Sequence, residues 1–237
     1  LNKKEYIKKD VTSVFGFIFL HYKLLITIPL QIFLVLGLLK IFIQKTFFYP
    51  DVIGFYIIEL LLQIFPISVF AYGIILTIDM LFQEKRFDLG LFKERFLVNY
   101  QTGILIFIAY FVLSRIGHSL MFVIGILISA KLLLAPFYVI FENNALKDSL
   151  TKSFLLKIMS GKGLLMYITL FVLSIPLTLA ILLLTFSFVL ANINDFFLIQ
   201  NIHQILFNFY SVVYWVAAYM YYLRFKNDLD SYKAEIQ

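Results

Sequence analysis

The 237 residues contain no cysteine, which excludes disulfides, thiolate nucleophiles and thiolate metal ligands and leaves the redox compartment open. Charge is also scarce. Asp, Glu, Lys and Arg make up 14% of the chain, well below the roughly 25% usual in soluble domains. His21, His118 and His203 share no i, i+4 spacing and propose no metal site. Neither G-x-S-x-G nor H-E-x-x-H occurs. Ser160-Gly161-Lys162-Gly163 lacks both the upstream glycine and the Ser/Thr after Lys that a phosphate loop needs, so it reads as a helix stop. The expectation is a protein that is not an enzyme, with no catalytic residue, no metal and no cofactor.

What the chain has instead is apolar surface: 62% hydrophobic residues and a mean hydropathy of +0.93, more than one soluble core can hide. Lipid must be part of its solvent. The formal net charge of +6 sits in short segments between apolar runs, where the excess of bases on the cytoplasmic side of membrane proteins accounts for it without nucleic acid. The expected fold is an all-α integral membrane protein, a single polytopic domain over 1–237.

The first 23 residues form a basic patch and a short apolar run, expected as a helix at the cytoplasmic interface. A signal peptide is not expected there, because no Ala precedes Ala71 to give an A-x-A cleavage site and more apolar segments follow. Six transmembrane helices follow, at about 24–43, 53–82, 103–122, 125–141, 164–190 and 205–223, with Pro29, Pro66 and Pro176 inside three of them. The stretch from Gly103 to Phe141 is long enough, at about 1.5 Å per residue, to cross twice. Its turn is expected near Val123-Ile124-Gly125, the alternative being Arg115 to His118. Lysines and arginines cluster in 1–23, 83–102, 142–163 and the tail 224–237, while Ala191 to Gln204 has none and only Lys40 and Lys45 flank the other face. Both termini are thereby placed in the cytoplasm.

Two of the basic segments are expected to be amphipathic elbow helices, Asp88 to Asn99 and Asn144 to Met159. In the first, Leu89, Phe92 and Phe96 share a side. In the second, Asn144 is a capping residue, Leu146, Leu150 and Phe154 share a side, Asp148 and Lys152 form an i, i+4 pair, and Gly161 and Gly163 end the helix. Phe92, Phe96, Asn144, Leu150 and Lys152 are the candidate contact residues of these elbows. GILIFIAYFVLS from Gly103 and GLLMYITLFVLS from Gly163 each follow an elbow, which reads as a tandem span-elbow-span repeat in one orientation. Within the spans, Glu59, Arg115 and Lys131 are ionisable side chains at similar expected depth, and they form a candidate intramembrane charge cluster in which Glu59 pairs with one of the two bases.

Ile124-Gly125-Ile126, Ala135-Pro136, Glu142-Asn143, the helix bearing Ser149, Lys152 and Ser153, and the closing Tyr222-Leu223-Arg224 resemble the YciC-type bacterial inner-membrane proteins. The resemblance covers the second half of the chain best, and departs where that family commonly has Pro-Gly in the turn and Arg-Ser in the elbow. It implies a multi-pass protein of the bacterial inner membrane and no catalytic residues. Two functions are expected from this reading. The first is a structural or accessory envelope protein that binds the lipid bilayer, anionic lipid and other membrane proteins. The second is a permease subunit that docks a separate ATPase.

Overall fold

The computed structural model describes residues 3–28, 31, 34–35, 38, 42, 53–84, 86–120, 128–129, 131–155, 161–190, 199, 202, 206 and 210–226. Among these no strand occurs, and the chain is all-helical. The helices are α1 (Lys3–Leu20), α2 (Ile53–Gln83), α3 (Leu89–Val98), α4 (Tyr100–Leu120), α5 (Ala135–Glu142), α6 (Leu146–Leu155), α7 (Gly161–Leu190) and α8 (residues 210–226), with a π-helical turn at Lys23–Thr27 after α1.

Among the described residues, Ile64–Gln83 and Leu165–Phe188 are long and apolar enough to cross a membrane, and Leu89–Val98 with Tyr100–Ser114 makes a third if taken as one span broken by 73°. The 31 residues of α2 run about 46 Å, past the roughly 30 Å of a hydrocarbon core, and Pro66 lies inside the helix without ending it. On α7, Phe171, Leu179, Leu182, Leu183 and Phe186 are all exposed. Burying a side chain of that size is worth about 1.5–3 kcal/mol, so this face calls for an apolar surrounding.

The helix expected over Asp88 to Asn99 forms over Leu89–Val98, with those two residues as its caps. Asp88 Oδ1 accepts from the backbone N–H of Gly90 at 2.8 Å and of Leu91 at 3.1 Å, satisfying two donors that a helix start leaves free. The second short helix starts at Leu146 and is described as far as Leu155, residues 156–160 lying outside the described ones, and both Gly161 and Gly163 lie within α7. Helix α4 continues unbroken through Arg115 to His118, which removes the alternative turn there. The preferred turn, Val123 to Gly125, lies outside the described residues, as do the loop Ala191 to Leu198, the tail after Lys226 and most of the expected first span.

The chain divides into two compact units. One comprises residues 1–59 with 168–214, and the other 60–167 with 215–237. In the first, Val14, Ile18 and Leu25 are buried, Phe17 packs on His21 with ring centroids 4.8 Å apart, and the Tyr210 hydroxyl donates to the Leu173 carbonyl. Beside them is an apolar groove of about 400 Å³ lined by Phe15, Gly16, Ile18, Phe19 and Ile26. In the second unit the core is aromatic. Trp215 meets Phe107 edge-on at 5.2 Å and lies 6.3 Å from Phe137, and Phe137 stacks on Tyr222 at 5.4 Å. Offset and edge-on pairs of this kind add to the area they bury.

Candidate functional site

The polar residues of the second unit gather where α3 lies against α2 and α6 against α5. Asp79, one turn from the end of α2, is reached from two sides. Tyr219 donates its hydroxyl to Oδ1 at 2.5 Å, and Arg95 on α3 donates to Oδ2 at 3.0 Å. The other arm of Arg95 binds Glu84 Oε1 at 2.6 Å, so one guanidinium bridges two carboxylates, as its fixed fork of donors permits. Gln83 Nε2 donates to the Tyr219 oxygen at 3.4 Å. Tyr219 is fully buried, with Phe82, Phe137 and Phe141 around its ring.

A second group of the same make-up surrounds Glu142 at the end of α5. Lys152 on α6 donates to Oε2 at 2.5 Å, Asn144 Nδ2 donates to the same oxygen at 3.2 Å, and the Tyr222 hydroxyl reaches Oε1 at 3.4 Å. The Lys152 ammonium also lies over the Tyr138 ring, 4.3 Å from its centre.

The correspondence extends to the backbone. Arg95 and Lys152 are each the seventh residue of a ten-residue helix. Tyr72 donates to the carbonyls of Arg95 and Phe96, at 3.4 and 3.2 Å, and Lys131 donates to the carbonyl of Phe154 at 2.9 Å. In each case the donor precedes an acceptor by 23 residues. Ser153 Oγ returns a bond to the Lys131 carbonyl at 2.6 Å. The end of α3 is also tied to the turn between α5 and α6, by Asn99 Nδ2 donating to Asn143 Oδ1 at 2.9 Å. Asn143 has φ 52°, a left-handed conformation that Asn tolerates better than most residues, and so closes α5 where a glycine would be usual.

Several expected contacts are differently made. Lys152 binds Glu142 across the turn rather than Asp148 on its own helix, because the partly buried carboxylate is the stronger attraction for it. Asn144 does not cap α6 through its side chain but serves Glu142, and the Ala145 carbonyl accepts the first bond of that helix, from Ser149. The buried side of α6 is Ser149 and Ser153, while Leu146 and Phe154 of the expected apolar side are exposed and Leu150 is half-buried. Phe92 and Phe96 do face inward, 5.8 Å apart, against Gly73 and Tyr72 of α2.

Of the candidate charge cluster, Lys131 is tied to Phe154, through its carbonyl and over its ring at 5.2 Å. Glu59 lies in α2 and Arg115 in α4, and both side chains fall outside the described residues. Sequence reasoning missed Asp79, a fourth charge within an apolar helix, and with it Glu84, Tyr219 and Tyr72. The available signal was the rule that a carboxylate near the end of an apolar run needs a donor.

Among the described residues no group of three or more His, Asp and Glu could hold a metal ion. The arrangement holds helices in place, since each carboxylate, base and phenol of the two groups is bound by another. The chain matches no protein-family model, no curated protein and no solved structure. Fold and site thus define an all-helical protein with apolar helices suited to a membrane.

Proposed function

We propose that the chain is a six-span protein of the bacterial inner membrane, with both termini cytoplasmic, built from a tandem span-elbow-span repeat. In this reading α3 and α6 are the two elbows, and the protein is a structural or accessory component of the envelope. The observation that carries it is the orientation of those helices. Each turns a base inward onto a carboxylate of the preceding helix and leaves large apolar side chains outward, Leu89, Leu97 and Val98 on one, Phe154 and Leu155 on the other, with Leu155 71% exposed. A helix anchored by one base, with exposed apolar side chains beside exposed charges such as Lys93 and Glu94 on α3 and Lys147 and Asp148 on α6, suits the boundary between headgroups and acyl chains, with anionic lipid and other membrane proteins as partners. The resemblance to the YciC-type proteins agrees with this reading. Among the described residues, the acids, bases and phenols of the two groups bind one another, which favours an accessory role over a permease subunit.

The topology is tested by placing single cysteines at Asn194 and Asn227 in a chain that has none of its own, then labelling intact cells with an impermeant thiol reagent. Asn194→Cys is expected to react and Asn227→Cys only after lysis. The opposite pattern overturns the reading. Recovery of a stoichiometric nucleotide-binding subunit on purification in mild detergent would replace the accessory role with the permease role.

A further inference from the structure

Tyr219 and Tyr222 stand one turn apart on α8, and each binds a different carboxylate: Tyr219 takes Asp79, which holds α3 through Arg95, and Tyr222 takes Glu142, which holds α6 through Lys152. We propose that α8 is a clasp through which the two short helices are coupled, so that releasing one loosens the other. The two phenols share their packing as well as their helix. Phe137 and Phe141 each contact both rings, with centroids 5.4 to 6.0 Å apart, and the rings of Tyr219 and Tyr222 are 6.3 Å from each other. Both tyrosines are almost wholly buried, so neither ring can shift without displacing neighbours that seat the other. The Asn99 to Asn143 bond closes the circuit on the far side, running from the end of α3 to the turn before α6. Coupling therefore has a continuous physical path of hydrogen bonds, packed rings and one rigid helix. It depends on these contacts and not on the membrane topology proposed above.

Hydrogen–deuterium exchange of the full chain in detergent micelles, read peptide by peptide, tests the clasp. Tyr219→Phe keeps the ring and removes the bond to Asp79. It is expected to raise exchange in 89–98 by about tenfold, the effect of losing one hydrogen bond to a charged group, and in 146–155 by a smaller but measurable factor. Tyr222→Phe is expected to do the reverse. Peptides from 10–20 in α1, which belongs to the other compact unit, serve as the reference and should not change. A rise confined to the helix whose own carboxylate lost its bond overturns the proposal, and so does an equal rise in 10–20, which would signal general loosening. Should Tyr219→Phe fail to accumulate, Asp79→Asn, which retains an acceptor for the phenol but weakens the Arg95 contact, is judged by the same three peptides.

Discussion

The ring of Tyr72 stands where a side chain on Gly103 would begin. A Cβ there would lie 2.5 Å from Cε2 and 2.9 Å from Cζ, closer than real atoms approach. Gly103→Ala must push the ring aside and with it the hydroxyl that binds α3, at a cost of about 1–3 kcal/mol typical of overpacking. Thermal unfolding in detergent, followed by the fluorescence of Trp215, the chain's one tryptophan, should show the loss. Gly16→Ala is the control. Its Cβ would meet nothing within 4 Å, and in a helix the change should be neutral or stabilise by about 0.5–1 kcal/mol. Equal losses in the two variants would count against the Tyr72 contact.

The choice Lys152 makes between two acids gives a second expectation. Glu142→Gln should destabilise the protein by about 1–3 kcal/mol, because the lysine, the phenol of Tyr222 and the amide of Asn144 all converge on that carboxylate. Asp148→Asn, on an exposed position of the same helix, should stay within about 0.5 kcal/mol of the parent. A double-mutant cycle with Lys152→Met should give coupling only to Glu142. Coupling to Asp148 instead would show that the local pair dominates.

Outward and inward positions of the short helices should respond differently to the same change. Phe92→Asp places a charge among Phe87, Phe96 and Gly73, and should cost about 3 kcal/mol or more of stability in detergent. Leu155→Asp alters an exposed position and should leave micellar stability nearly unchanged while lowering the yield of membrane-inserted protein. If both variants insert and resist protease like the parent, α3 and α6 are merely solvated.

His21 supplies a dependence on pH. Burial lowers its pKa from the ordinary 6.5, so the folded state holds the neutral imidazole and the unfolded state takes up the proton first. Stability from this residue is intact above about pH 6.5 and is lost as pH falls toward the lowered folded value. His21→Gln should accordingly narrow the difference in unfolding temperature between pH 7 and pH 5.5. An unchanged difference would assign that acid sensitivity to other groups.

How much could be read without coordinates depended on the range of the interactions concerned. Helix α3 was legible to the residue, because Asp88 and the run that follows it settle the helix start locally. The inward placing of Phe92 and Phe96 followed from their spacing. Lys152 shows where such reading stops, since Asp148 was the nearest partner in sequence and Glu142 the nearest in space. Asn144 likewise has the chemistry of a cap, and only the position of Glu142 decides that its amide turns away from α6. Asp79 and Tyr219 are 140 residues apart, and nothing in either neighbourhood names the other. Two-helix contacts of this kind emerge only when packing has set the register.

Asn99 is the one residue between α3 and α4, and the axes of the two helices differ by 73°. With so short a joint there is no slack, and α3 behaves as a crank arm fixed to a shaft. An arm of ten residues is about 15 Å long, so turning α4 by about 10° around its own axis would sweep the far end of α3 through roughly 2.5 Å. That distance is about the length of one hydrogen bond. The bonds from Arg95 to Asp79 and Glu84 are what a torque on α4 would have to break before the arm could swing.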